Sequence, residues 1–274
     1  MSAVPAAPPS ASAEATAPLG IVRTYAARIG ALCLVEIQRL RHDRSELYTR
    51  AIQPILWLVI FGGTFNRLHA IPTGGLPYID FLAPGVLAQS ALFISIFYGI
   101  QIIWERDAGI LAKLLVTPTP RAALVTGKAF AAGMRALSQA VVVIVLSLVL
   151  GVSFLLAPWR LLGAGLVAVL GAAFFASLSM TIAGLVLSRE RLMGIGQAIT
   201  MPLLFASNAL YPIAVMPPWL QVIAKVNPLS YEVNALRGLL IGTPTNLWLD
   251  FGVLWLAVVV GILGATTVLP RLVR

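Results

Sequence analysis

The stretch WERDAGILAKLLVTPTPR, residues 104–121, decides how this chain is read. Five charged residues (Glu105, Arg106, Asp107, Lys113 and Arg121) crowd into it, although only 11% of the 274 residues are charged. Gly109–Val116 is expected to form a short amphipathic helix, framed by charges and stopped by Pro118 and Pro120. Its leucines, Leu111, Leu114 and Leu115, need a partner surface, because a loop this short has no core of its own. Glu105, Arg106, Asp107, Gly109, Leu111, Lys113, Leu114, Leu115, Thr117, Pro118 and Arg121 are therefore the candidate residues for docking a soluble partner that delivers force to the rest of the chain.

On either side the sequence turns oily. Hydrophobic residues make up 59% of the chain, against about 45–50% in soluble domains, where about 25% of residues are charged. A soluble fold must cover itself with polar groups, and this chain has too few. Six candidate spans emerge against the ~20 residues needed to cross ~30 Å of hydrocarbon: Leu47 to Phe65, Phe81–Trp104, Ala136–Ala157, Leu161–Leu187, a fifth from Leu192, and Phe251–Pro270. The expected fold is all-α, with six transmembrane helices over 51–274. Residues 1–20, rich in Ala and Pro and lacking Lys and Arg, read as a disordered tail. Residues 21–50 carry six arginines on a helical apolar period; they read as an interfacial helix lying against lipid headgroups or, more plainly, as a cytosolic linker. Residues 211–250, broken by Pro212, Pro217, Pro218 and Pro228, suit a re-entrant hairpin whose backbone is satisfied by surrounding protein.

The net charge of +9 reports orientation rather than nucleic-acid binding, since no extensive basic face is compatible with so apolar a chain. With the N-terminus inside, 15 Lys/Arg fall on inner segments and 4 (Arg67, Arg160, Lys225 and Arg237) on outer ones. That bias places both termini in the cytoplasm of a multi-pass protein of the cytoplasmic membrane.

Enzyme signatures are missing. Gly127-Lys128 resembles the end of a phosphate-binding loop, but Ala122 and Ala129 stand where Gly and Ser/Thr are required. Cys33 is the single cysteine, and the two histidines, His42 and His69, lie outside the spans. No metal site, catalytic set or cofactor is expected on this chain. The span centres read as nearly free of ionisable groups, which argues against a proton-coupled pump. Neutral polar residues occur instead. Gln89, Ser90, Gln197, Thr200, Ser207 and Asn208, with Phe93 and Phe97, form a candidate path for an amphipathic cargo; the plainer reading is interhelical hydrogen bonding. Ala164, Ala168, Ala172 and Ala176 repeat every fourth residue, a spacing that lets helices approach closely. Pro202 marks a flexible point or a static kink in the fifth span.

Several motifs, in order, resemble the membrane subunit of type-2 ATP-binding-cassette exporters, in the branch of daunorubicin-resistance-like permeases. They are QPILWL from Gln53, FLAPGV from Phe81, the Glu105–Arg121 segment, NALYPIAVMPPWL from Asn208 and NPLSYEVNALRG from Asn227. The resemblance implies that Gly109–Val116 is the coupling helix on a nucleotide-binding subunit. Residues 21–50 would be the connecting helix. Tyr211, Pro212, Met216, Pro217, Asn227, Pro228, Tyr231 and Arg237 would belong to an extracellular re-entrant helix pair that caps the pathway. Ala112 departs from the acidic residue of many relatives. Implied partners are two ATPase subunits carrying ATP and Mg, a second permease copy, and membrane lipids. The expected function is export of a hydrophobic or amphipathic small molecule. A lipid-linked glycan, for which Trp57, Phe61, Phe93, Phe97 and Tyr98 supply stacking rings, is the alternative cargo, and a non-transporting scaffold or sensor is the alternative class.

Overall fold

A computed structural model describes residues 27, 29, 30, 33, 34, 38, 51–68, 71–111, 113 and 120–272. The tail 1–20, most of 21–50, and Leu114, Leu115, Thr117 and Pro118 lie outside these. Among the described residues every regular element is helical: α1 (51–68), α2 (Tyr78–Asp107), α3 (Arg121–Val149), α4 (Pro158–Val186), α5 (Arg189–Phe205), α6 (Pro218–Val226), α7 (Pro228–Leu240) and α8 (Leu247–Val268). Short 3₁₀ turns occur at Ile213–Val215 and Leu269–Leu272.

Four helices are long and apolar enough to cross a membrane: Tyr78–Asp107, Arg121–Val149, Pro158–Val186 and Leu247–Leu272, the last running on through the 3₁₀ turn. The fifth expected span, α5, has 17 residues, about 26 Å at 1.5 Å per residue, a little short of the ~30 Å core. α1 widens into a π-helix over Trp57–Gly62.

The observed bounds correct the expected ones in two places. The third span was expected over Ala136–Ala157, but its helix starts at Arg121 and stops at Val149, where Gly151 takes φ 86° and the chain continues extended. Lys128 and Arg135 do not interrupt that helix: Lys128 is ion-paired, and Arg135 lies 5.5 Å over the Tyr98 ring. The last span begins at Leu247 rather than Phe251, because the Asn246 side chain accepts from the Leu249 N–H (3.2 Å) and caps the helix earlier.

α4 is the axis of the bundle, packed against α2, α3, α5, α7 and α8. Its alanine repeat is what admits these neighbours. Ala164, Ala168, Ala172 and Ala176 are all buried, and Ala172 meets Ala91 of α2 and Ala136 of α3 where three helices converge. Without bulky side chains the backbones close up, and dispersion contacts replace the hydrophobic force that lipid does not supply. At Gly99 of α2 a Cβ would lie 2.6 Å from the main-chain oxygen of Ser179, whose Oγ donates to the Ile96 carbonyl (2.6 Å). By contrast the outer surface of α8, with Trp255, Leu256, Val259, Val260 and Leu263 exposed, is uniformly apolar, as a lipid-facing surface must be.

Candidate functional site

The bundle has two chemically distinct ends. At one, α2 ends, α3 begins, and α4 turns into α5. Here Lys128 Nζ donates to Glu105 Oε2 at 2.5 Å and Oε1 at 2.6 Å, bracing the end of α2 against the start of α3. Gln101 Nε2 reaches the same carboxylate at 3.3 Å. The pair is largely buried, with side chains 8% and 17% exposed. Next to it Asp107 accepts from Arg106 (2.7 Å) and from Arg189, the first residue of α5 (2.5 Å). Arg106 Nη1 also donates to the Leu187 carbonyl (3.0 Å), and Arg189 lies 5.3 Å over the Trp104 ring. Leu187 takes φ 57°, the left-handed conformation that reverses the chain between α4 and α5.

These contacts alter the sequence reading of the coupling residues. Glu105, Arg106 and Asp107 pair within the chain. Leu111, expected among exposed leucines, is fully buried, because the turn at Gly109 (φ 69°) folds it back onto the bundle; Ile110 and Trp104 are exposed apolar side chains among the described residues of the segment. Lys113 and Arg121 are exposed. The stem is thus a braced part of the bundle. Replacing Lys128 by Met should leave the Glu105 carboxylate half-enclosed without its cation. The expected loss falls between the ~1 kcal/mol of a surface pair and the ~3–5 kcal/mol of a fully buried one. Thermal unfolding in detergent would read it, with the double variant E105Q/K128M recovering most of the stability.

The opposite end carries the cap. The loop 206–211 and helix α7 cover the start of α2, and α6 packs beside the Ile213–Val215 turn. Asn227 serves two elements: its Oδ1 caps α7 through the Leu229 N–H (3.0 Å), while its Nδ2 donates to the Leu203 and Ala206 carbonyls (2.7 and 2.9 Å) at the end of α5. Arg237 is 5% exposed and reaches the Phe81 carbonyl (3.2 Å) and those of Asn208 and Ala209 (2.7 and 3.3 Å), with its guanidinium 3.5 Å from the Phe81 ring centroid. Met216 is buried; Tyr211 and Tyr231 donate to the Phe205 and Lys225 carbonyls, each at 2.6 Å. Burial pushes the Tyr211 phenol above its usual range. Pro217 precedes α6, Pro228 opens α7, and Pro212 precedes the 3₁₀ turn, each at a position where no helix N–H is needed.

The eight path candidates divide. Phe97 (58% exposed) and Gln197 lie on the outer surface of the bundle. Ser90, Thr200 and Ser207 are buried and bond to carbonyls of their own helix or turn, at Val86, Gly196 and Leu204. Phe93 is packed against the core. Gln89 is buried, and Asn208 donates to Asn234 at 2.5 Å.

One group escaped the sequence reading. Glu232 of α7 is completely buried, and among the described residues neither carboxylate oxygen has a hydrogen-bond partner. It sits against Gly171, where any Cβ would overlap its carboxylate. Gly171 lies 13 residues into α4, about 20 Å from its start. The span centres looked free of ionisable groups because the acid arrives on a neighbouring short helix of 13 residues. Pairing the lone Glu with Gly171 requires the fold, and no linear pattern signals it. Arg237, counted as an outer charge, is buried for the same reason.

A helical bundle with four membrane-length helices and a braced charged stem at one end suits a membrane permease domain, and comparison with known proteins gives the family. Residues 27–241 match the ABC-2 type transporter family, and the chain belongs to it. It is 31% identical over 204 residues to the putative transport permease ycf38 of Porphyra purpurea, covering 74% of this chain and 70% of that one. It is 30% identical over 221 residues to nodulation protein J of Rhizobium leguminosarum bv. viciae, covering 80% and 84%. With the daunorubicin resistance ABC transporter permease protein DrrB1 of Streptomyces coeruleorubidus it shares 27% over 204 residues, 74% and 71% of the two chains. The family is one of permease subunits that work with separate ATP-binding subunits.

Proposed function

We propose that the chain is the transmembrane subunit of an ATP-binding-cassette exporter, moving a hydrophobic or amphipathic small molecule outward across the cytoplasmic membrane. Six spans, α1 and α5 included, pair with those of a second permease copy. Both termini face the cytoplasm, and two ATPase subunits, carrying ATP and Mg, drive alternating access. The observation that carries this reading is the braced stem. A coupling segment anchored by Glu105–Lys128 can transmit a push to α2 and α3 as one body instead of folding away. The energy demanded is modest, since the motor need only bias two packings that differ by a few kcal/mol.

Leu114→Asp with Leu115→Asp tests it. The unsubstituted chain should co-purify with an ABC ATPase subunit, and the double variant should lose that association while keeping its own fold. Retained association would remove the docking role from this segment and favour a scaffold.

A cargo bearing flat rings is favoured by one feature. Trp57, Phe61 and Phe65 stack along α1 with centroids 4.4 and 6.0 Å apart. The series continues through Tyr78 (5.5 Å) to Phe81 (6.3 Å), beside a cavity of about 540 Å³ lined by Phe65, Asn66 and the 71–77 turn. Sugar rings and planar aromatic molecules both stack on such surfaces, so a glycan and a drug-like aromatic share this route.

A further inference from the structure

α5 is held along one narrow stripe, as is α8, whose buried residues Asp250, Leu254, Val258, Gly261 and Ala265 also recur at three- and four-residue steps. The buried residues of α5 are Leu192, Gly196, Thr200 and Leu204, one position in every four. They form a narrow stripe against α2 and α4, while Met193, Ile195 and Phe205 are exposed. Beyond that stripe it is pinned at its ends. Asn227 grips the carbonyls of Leu203 and Ala206 at the capped end. Arg189 grips Asp107 at the other, stacked on Trp104. Pro202 leaves one backbone bond of the helix unmade just below the upper pin. A helix with a thin packed stripe, a proline near one end and a charged tie at the other is built to pivot, not to stay fixed.

Asp107 is the residue at which α2 hands over to the coupling segment, so its tie to Arg189 joins that segment to α5 directly. We propose that Arg189 is a positioning residue for transport: through Asp107 it carries displacement of the coupling segment into α5, making α5 the helix that the motor swings. The inference rests on the exporter reading above and adds the route by which force enters the bundle. An exposed ion pair contributes little to stability. Its effect here is geometric, and the separate bond from Arg106 to the Leu187 carbonyl keeps the α4–α5 corner in place when Arg189 is changed.

The test uses the permease–ATPase complex in lipid nanodiscs, with Cys33→Ser and Ile195→Cys providing one exposed thiol on α5. The readout is the rate of maleimide labelling with and without MgATP. The parent complex should show an ATP-dependent change in rate. R189D should lose that change while labelling at the parent rate without nucleotide, D107R should lose it as well, and D107R/R189D, which restores the pair with the charges exchanged, should regain it. If the single variants respond to ATP as the parent does, or the exchanged pair is no better than either single change, the proposal is overturned. It is overturned equally if α5 of the parent ignores ATP although the ATPase is bound. If the parent fails to bind the ATPase at all, the exporter reading falls instead.

Discussion

Arg237→Met should unseat the cap. The guanidinium gathers three main-chain carbonyls from two parts of the chain, Phe81 in the first turn of α2 and Asn208 with Ala209 in the loop after α5. The two loop carbonyls lie in non-helical backbone, so their partner cannot be replaced from within a helix. Leaving each buried and unsatisfied costs about 1–3 kcal/mol. No longer burying a cation offsets part of that, and the expected net loss is about 3 kcal/mol. The measurement is a thermal unfolding scan in detergent, with limited proteolysis of the 206–217 loop as the local readout. Arg237→Lys separates charge from shape. An ammonium keeps the positive charge but lacks the planar fork that reaches carbonyls in different directions, so it should rescue only part of the loss. Full rescue by Lys would show that charge alone holds the cap.

Gly85→Ala should do comparable damage for the opposite reason. The methyl group would overlap the Ala209 carbonyl oxygen and stand 2.8 Å from its carbon. The obstacle is backbone, which cannot rotate aside as a side chain can. Relief requires the loop to lift from α2, at about 3 kcal/mol. Because Arg237 and Gly85 act on one contact, their effects should not add: once the loop has lifted, the second substitution has little left to disturb. A double variant that loses the full sum would show that the two residues secure separate regions. The unfolding scan that serves Arg237→Met reads all three proteins.

How much of this was legible in the chain depends on the distance over which each feature is encoded. The long apolar helices α2, α4 and α8 announce themselves through uninterrupted hydrophobic runs, and their expected and observed bounds differ by a few residues. Pro217 before α6 and Pro228 at the start of α7 break this region into two short helices for a local steric reason. The charged stem between α2 and α3 is visible as a burst of charge, yet its pairings are not. Glu105 finds Lys128 across 23 positions and Asp107 finds Arg189 across 82, separations at which sequence spacing carries no geometric information. The same holds for Glu232 against Gly171. Leu111 looks exposed on a helical wheel and is buried because one glycine at φ 69° redirects it.

The place of Glu232 and Arg237 bears on how the protein is made. Both ride on α7, whose 13 residues are too few to cross the bilayer and whose acid and base would resist entering lipid unaided. α7 packs against α2 and α4, which precede it in the chain, and against α8, which follows it. α7 is therefore enclosed on all sides only once the last helix has been made.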